Sequence, residues 1–105
     1  MKIHVDPGQP QAQPRLADPE NFRELSIVAP GGAAATGAPE ALAKLGRLEG
    51  SDHVFVDQAL LIRLAGPLGN DPEWRNSFDA MIEFAASHGW LADDGAVRVH
   101  VETGS

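Results

Sequence analysis

The chain alternates between short apolar runs and joints rich in Pro and Gly. "KIHVD" places Ile3 and Val5 on one side and Lys2, His4 and Asp6 on the other. That period of two predicts a short strand with one solvated face. "PGQPQAQPRLADPE" follows, with four Pro and three Gln in residues 7–20. Pro fixes φ and removes a backbone donor, so this stretch is expected to be extended and polyproline-like, a linker or an arm along a partner. "NFRELSIVA" sets Leu25 and Ile27 opposite Glu24 and Ser26 and predicts a strand over 24–29. The Gly/Ala-rich residues 30–38 predict a loop. Pro39 suits the first helical position, which predicts a short helix over about 39–45. Gly46 is placed as the left-handed residue that ends it.

The second half is more strongly patterned. "HVFVD" is a continuous apolar run, expected as a strand buried on both faces. Asp57 fits the N-cap of "QALLIRLAG", where Leu60, Leu61 and Leu64 form a stripe widened by Ile62. A largely buried helix is expected there, stopped by Gly66 and Pro67. The clearest element spans about 71–88. Asp71 caps it, Pro72 opens it, and Trp74, Phe78, Met81, Ile82 and Ala85 repeat at helical spacing. Arg75, Asp79, Glu83 and Ser87 take the other side. Gly89 should close the helix in a left-handed conformation, with Trp90 folding back near Phe84 and Ala85. Asp94–Gly95 predicts a hairpin turn. Val97, Val99 and Val101 then alternate with Arg98, His100 and Glu102 as a final strand.

These elements predict one α+β domain over residues 1–105. A mixed or antiparallel sheet of three to five strands would pack on two or three helices. At 105 residues such a domain buries a real core with little surplus, so a partner subunit would add much to its stability. No apolar run nears the roughly 18 residues of a membrane span. "MKIHVDPGQP" lacks the apolar centre of a secretion signal, and a cytoplasmic location is the expectation.

Composition narrows the chemistry. The chain holds no Cys, which excludes disulfides, thiolate nucleophiles and Cys-ligated metals. The formal net charge is −7, with only Lys2 and Lys44 and six scattered Arg, a poor match for nucleic acid or an anionic membrane. The order strand, helix, helix, short strand, turn, strand over 53–102 is also that of winged-helix DNA-binding domains. The long helix, however, would present Asp71, Glu73, Asp79 and Glu83 to DNA against Arg75 alone, and Asp93–Asp94 would form the wing tip. That leaves, as a third reading, a winged-helix-like shape used for protein contact.

No strong catalytic motif is present. Gly32 and Gly37 have the spacing of a phosphate-binding loop, but Ala38 and Pro39 stand where it needs Lys and a hydroxyl. The loop is read as a connector, or as a lid over a pocket. No nucleophile elbow is present, and Ser87 beside His88 is only a neighbour in sequence. If the two terminal strands pair, His4, Asp6, His100 and Glu102 approach one another as a metal or acid/base constellation. Without such pairing His4 and His100 are ordinary solvent-facing side chains. The weak site candidates are therefore His4, His100, Glu102 and Asp57, with no metal or cofactor expected. Trp74, Phe78, Met81 and Trp90 make either a core or a pocket lining, and helical spacing is what a core demands.

Two functional expectations rank ahead of the winged-helix-like one. One is a non-enzymatic protein-interaction or oligomerisation module, pairing as a homodimer or with another protein through its arm and strand edges. The other is a small-molecule-binding protein or small enzyme, with a pocket between the long helix and the sheet.

Overall fold

The alternating "VRVHVE" becomes the longest strand of the molecule. In the computed structural model, Val97, Val99 and Val101 are buried while Arg98 and His100 face outward. The structure describes residues 1–9, 12–31, 37–50 and 52–102. Their strands are β1 (Lys2–His4), β2 (Arg15–Ala17), β3 (Ser26–Val28), β4 (Gly46–Glu49), β5 (His53–Val56) and β6 (Val97–Glu102). Their helices are α1 (Ala38–Ala43), α2 (Gln58–Leu64) and α3 (Pro72–Ser87). A 3-10 turn over Gly66–Asn70 joins α2 to α3. Most of the 30–38 loop, residues 32–36, lies outside the described residues, as do two residues of the 7–20 arm.

The strands form one mixed sheet in the order β2-β1-β3-β6-β5-β4. β1, β3 and β6 run parallel to one another, and β2, β5 and β4 are antiparallel to their neighbours. The fold is α+β, as the periodicities predict, but it has six strands where three to five are expected. The two additions have physical reasons. β2 lies inside the Pro/Gln stretch, where Arg15, Leu16 and Ala17 pair with His4, Ile3 and Lys2 instead of remaining polyproline-like. β4, "GRLE", has one apolar side chain, Leu48, and is an edge strand that gains its order from pairing with β5.

Gly46 belongs to that pairing and not to a helix end. A Cβ there would lie 1.8 Å from the carbonyl oxygen of Phe55, so the glycine permits the close approach of β4 to β5. β5 also differs from expectation. Val54 and Val56 are buried, but His53 and Phe55 are only half-buried, because they project from the sheet face opposite the valines. α2 is less buried than its composition suggests. Only Leu61 is fully enclosed, while Leu60, Ile62 and Leu64 are half-covered. The strand before the Asp94–Gly95 turn shrinks to a single bridge between Leu91 and Val97.

The cross-strand rows Leu16–Ile3–Ile27–Val101 and Val99–Val54 form one face of the sheet. Most of this face is buried, with Leu42, Leu61, Trp74 and Phe78 in the same core. The opposite face carries ion pairs beside the buried Ser26 and Val28. Arg98 pairs with Glu49, Arg47 with Asp94, and Lys2 with Glu102 at 3.6 Å.

α3 is fixed at both ends as its sequence predicts. The Asp71 carboxylate accepts from the Glu73 N–H at 3.0 Å, a cap worth about 1 kcal/mol. At the other end Gly89 has φ 75°. The Trp90 N–H donates to the Ala85 carbonyl at 2.9 Å and the Gly89 N–H to Ala86 at 3.1 Å. That pair of bonds is the Schellman closure.

Candidate functional site

The C-terminal half of α3 does not lie flush on the sheet. Met81 and Ile82, on the apolar side of an amphipathic helix, are only half-buried, and Phe84 beside them is 57% exposed. A cleft of about 790 Å³ opens there. Its apolar walls include Phe22, Leu25, Met81, Phe84 and Trp90. Ligand pockets for small molecules commonly span about 300–1,000 Å³ and are mostly apolar with a few polar groups.

The polar groups of this cleft are unusual for the chain. Its ionisable lining among the described residues is Arg23, Arg98, His53 and His100, with no Asp or Glu. The chain as a whole carries 15 acidic and 8 basic side chains. Arg98 already donates to Glu49, whereas the guanidinium of Arg23 has no ion-pair partner among the described residues.

Strand register brings the two imidazoles together. His53 of β5 stands directly opposite His100 of β6. The Val101 N–H donates to the Asp52 carbonyl at 2.7 Å, which marks 52/101 as a hydrogen-bonded pair and 53/100 as a non-hydrogen-bonded one. In that position side chains approach most closely, and the ring centres are 5.2 Å apart. Asp52 completes the group. Its Oδ1 lies 2.8 Å from His53 Nδ1, and its Oδ2 lies 4.0 Å from His100 Nδ1. One ligand atom from each of Asp52, His53 and His100 falls within 4.8 Å of the other two.

The sequence-predicted candidates are distributed differently. β3 separates β1 from β6, so the terminal strands do not pair. His4 shares a row with Val28 and Glu102, two strand spacings or about 10 Å from the glutamate backbone. Asp6 accepts from the Gly8 N–H at 2.9 Å, and Glu102 faces Lys2. Asp57 is the N-cap of α2, accepting from the Ala59 N–H at 3.2 Å. Of the four candidates, His100 alone belongs to the cluster and also lines the cleft. Asp52 and His53 are the members that sequence reasoning missed. Their pairing with His100 spans two helices, and no local spacing encodes it.

Ser87 and His88 are in contact, with Oγ and Nδ1 3.2 Å apart. Nδ1 also lies 2.9 Å from the Phe84 carbonyl, which can only accept. The proton therefore sits on Nδ1, and that nitrogen cannot take one from Ser87. The pair closes the helix end and does not form a nucleophile with its base.

No protein-family model, curated protein or solved structure matches this chain. Among the described residues no helix is long and apolar enough to cross a membrane. β6 has sheet neighbours on both sides, unlike the strand of a two-stranded wing.

Proposed function

We propose that this chain binds a small amphipathic anion, an apolar chain or ring carrying a carboxylate-like group, in the cleft beneath the C-terminal half of α3. The observation that carries this reading is the charge asymmetry. An acidic chain lines an apolar cleft with two arginines and two histidines; Arg98 and His53 are partnered from outside the lining by Glu49 and Asp52, while Arg23 has no ion-pair partner among the described residues. Met81, Phe84 and Trp90 suit the apolar body, and Arg23 suits the anionic head as a guanidinium free to form paired hydrogen bonds. The reading concerns binding, and it takes up the pocket between long helix and sheet that the sequence offers as an alternative.

Calorimetric titration with decanoate tests it, with decanol as a neutral probe of the same chain length. Saturable binding of the acid, weakened by Arg23→Gln and by the cleft-filling Ala80→Trp, supports the reading. No binding, or equal binding of acid and alcohol, contradicts it.

A protein-interaction or homodimer module is the second reading. Phe84 and Trp90 support it, because these two exposed aromatic side chains stand with ring centres 6.0 Å apart at the end of α3. A second copy covering them would also cover the cleft mouth. Light scattering tests the dimer independently: a monomer at high concentration removes the homodimer form of this reading.

A further inference from the structure

Asp52, His53 and His100 form a group whose chemistry does not depend on an organic ligand. Two imidazoles and a carboxylate form a borderline N,N,O donor set, the chemistry that selects late first-row divalent cations over magnesium or calcium. The three residues converge through backbone structure and not through chance rotamers alone. His53 and His100 are a directly opposed cross-strand pair, and Asp52 is pinned beside them by the Val101 N–H on its carbonyl. Their potential ligand atoms lie within 4.8 Å of one another. Zinc bonds of 2.0–2.2 Å set ligand atoms about 3.4 Å apart in a tetrahedron, so closure needs only a small rotation of side chains that are part-exposed. The side chains of His100 and Asp52 are 54% and 56% exposed and that of His53 is 23% exposed, which gives an ion access without crossing the core.

The geometry points to a zinc-type divalent cation site formed by Asp52, His53 and His100 on the β5–β6 ladder. The ion replaces the Asp52–His53 hydrogen bond by two coordinate bonds and recruits His100 as third ligand. Three protein ligands leave a fourth tetrahedral position for water or an exogenous anion. Because His53 and His100 also line the cleft, that position lies at its rim. His4, on β1, and His88, at the end of α3, stand outside the group.

Titration of the full chain with zinc chloride alone, in a non-chelating buffer, tests the site. Cobalt(II) absorption and paramagnetic broadening of amide signals provide independent readouts on the unaltered protein. One equivalent should bind, with broadening centred on residues 52–53 and 99–101. His53→Ala and His100→Ala should each weaken binding by at least about tenfold, since even outer partners of a metal are worth ten- to a hundredfold. His4→Ala and His88→Ala should leave it unchanged, and magnesium should not compete. No saturable zinc binding below millimolar concentration overturns the proposal. So does an equal loss through His4 or His88, or broadening centred elsewhere. No organic anion is present in this titration, so its failure leaves the cleft reading standing, and failure with decanoate leaves the metal site standing.

Discussion

Trp74 donates its indole N–H to the carbonyl oxygen of Pro19 at 2.8 Å. The same ring stacks on Phe78 at 5.1 Å and meets Phe22 at 5.7 Å. One side chain thus ties α3 to the segment that supplies Phe22, Arg23 and Leu25 to the cleft wall. Trp74→Phe keeps most of the apolar contact but strands the Pro19 carbonyl. It is expected to lower unfolding free energy by about 1–3 kcal/mol and to weaken decanoate binding at the same time. Urea denaturation and calorimetry measure the two effects.

Gly46 and Gly89 separate two costs of a methyl group. At Gly89 φ is 75° and an added Cβ meets nothing within 4 Å, so Gly89→Ala carries backbone strain alone, about 1–2 kcal/mol. At Gly46 the Cβ would strike the Phe55 carbonyl at 1.8 Å and Val56 Cα at 3.2 Å. Backbone cannot rotate away as a side chain can, so β4 must shift from β5. Gly46→Ala is expected to cost at least about 3 kcal/mol. Denaturation midpoints of the two variants should therefore fall in that order.

The Arg47–Asp94 pair ties the β4 edge to the hairpin turn before β6. The side-chain hydrogen bond from Arg47, followed by the Ala96 N–H, holds the Asp94 carboxyl below its ordinary value of 3.8. A carboxyl with a depressed folded-state pKa adds stability above its unfolded value and loses that stability as pH falls through the folded one. The contribution should thus be intact at neutral pH and fade below about pH 4. Both groups are solvated, so the effect is small and weakened by salt. A comparison of Asp94→Asn with the unaltered chain across pH 2–7 checks it: the stability difference should narrow toward the acid end.

Much of this architecture is legible in local sequence. The α3 boundaries follow from Asp71, Pro72 and Gly89, because caps and left-handed closures are decided by a few adjacent residues. The burial of Val97, Val99 and Val101 follows from alternation. What is not legible is non-local. Arg15–Ala17 and Gly46–Glu49 have weak strand patterns of their own and become strands because β1 and β5 present open edges to them. The Asp52–His53–His100 group depends on the β5–β6 register across some forty residues of intervening chain. His4 and Glu102 illustrate the converse: alternation placed both on polar strand faces, and the insertion of β3 kept them apart.

Ser26 is 7% exposed, and its Oγ has no hydrogen-bond partner among the described residues. Removing an unpaired buried hydroxyl sacrifices no bond. Ser26→Ala should leave unfolding free energy unchanged or raise it by up to about 1 kcal/mol. A loss of more than about 1 kcal/mol in urea denaturation would contradict this and show that the hydroxyl has a partner.

The cleft's preference for an amphipathic anion is tested most directly by mapping amide chemical shifts on the isotope-labelled chain during titration with decanoate and, separately, decanol. Saturable shifts confined to residues 22–25, 53, 77–85, 90 and 97–100, with decanoate binding at least about tenfold tighter, are the predicted result; that ratio corresponds to one charge-assisted contact. Shifts centred elsewhere, or equal response to the two probes, would contradict it.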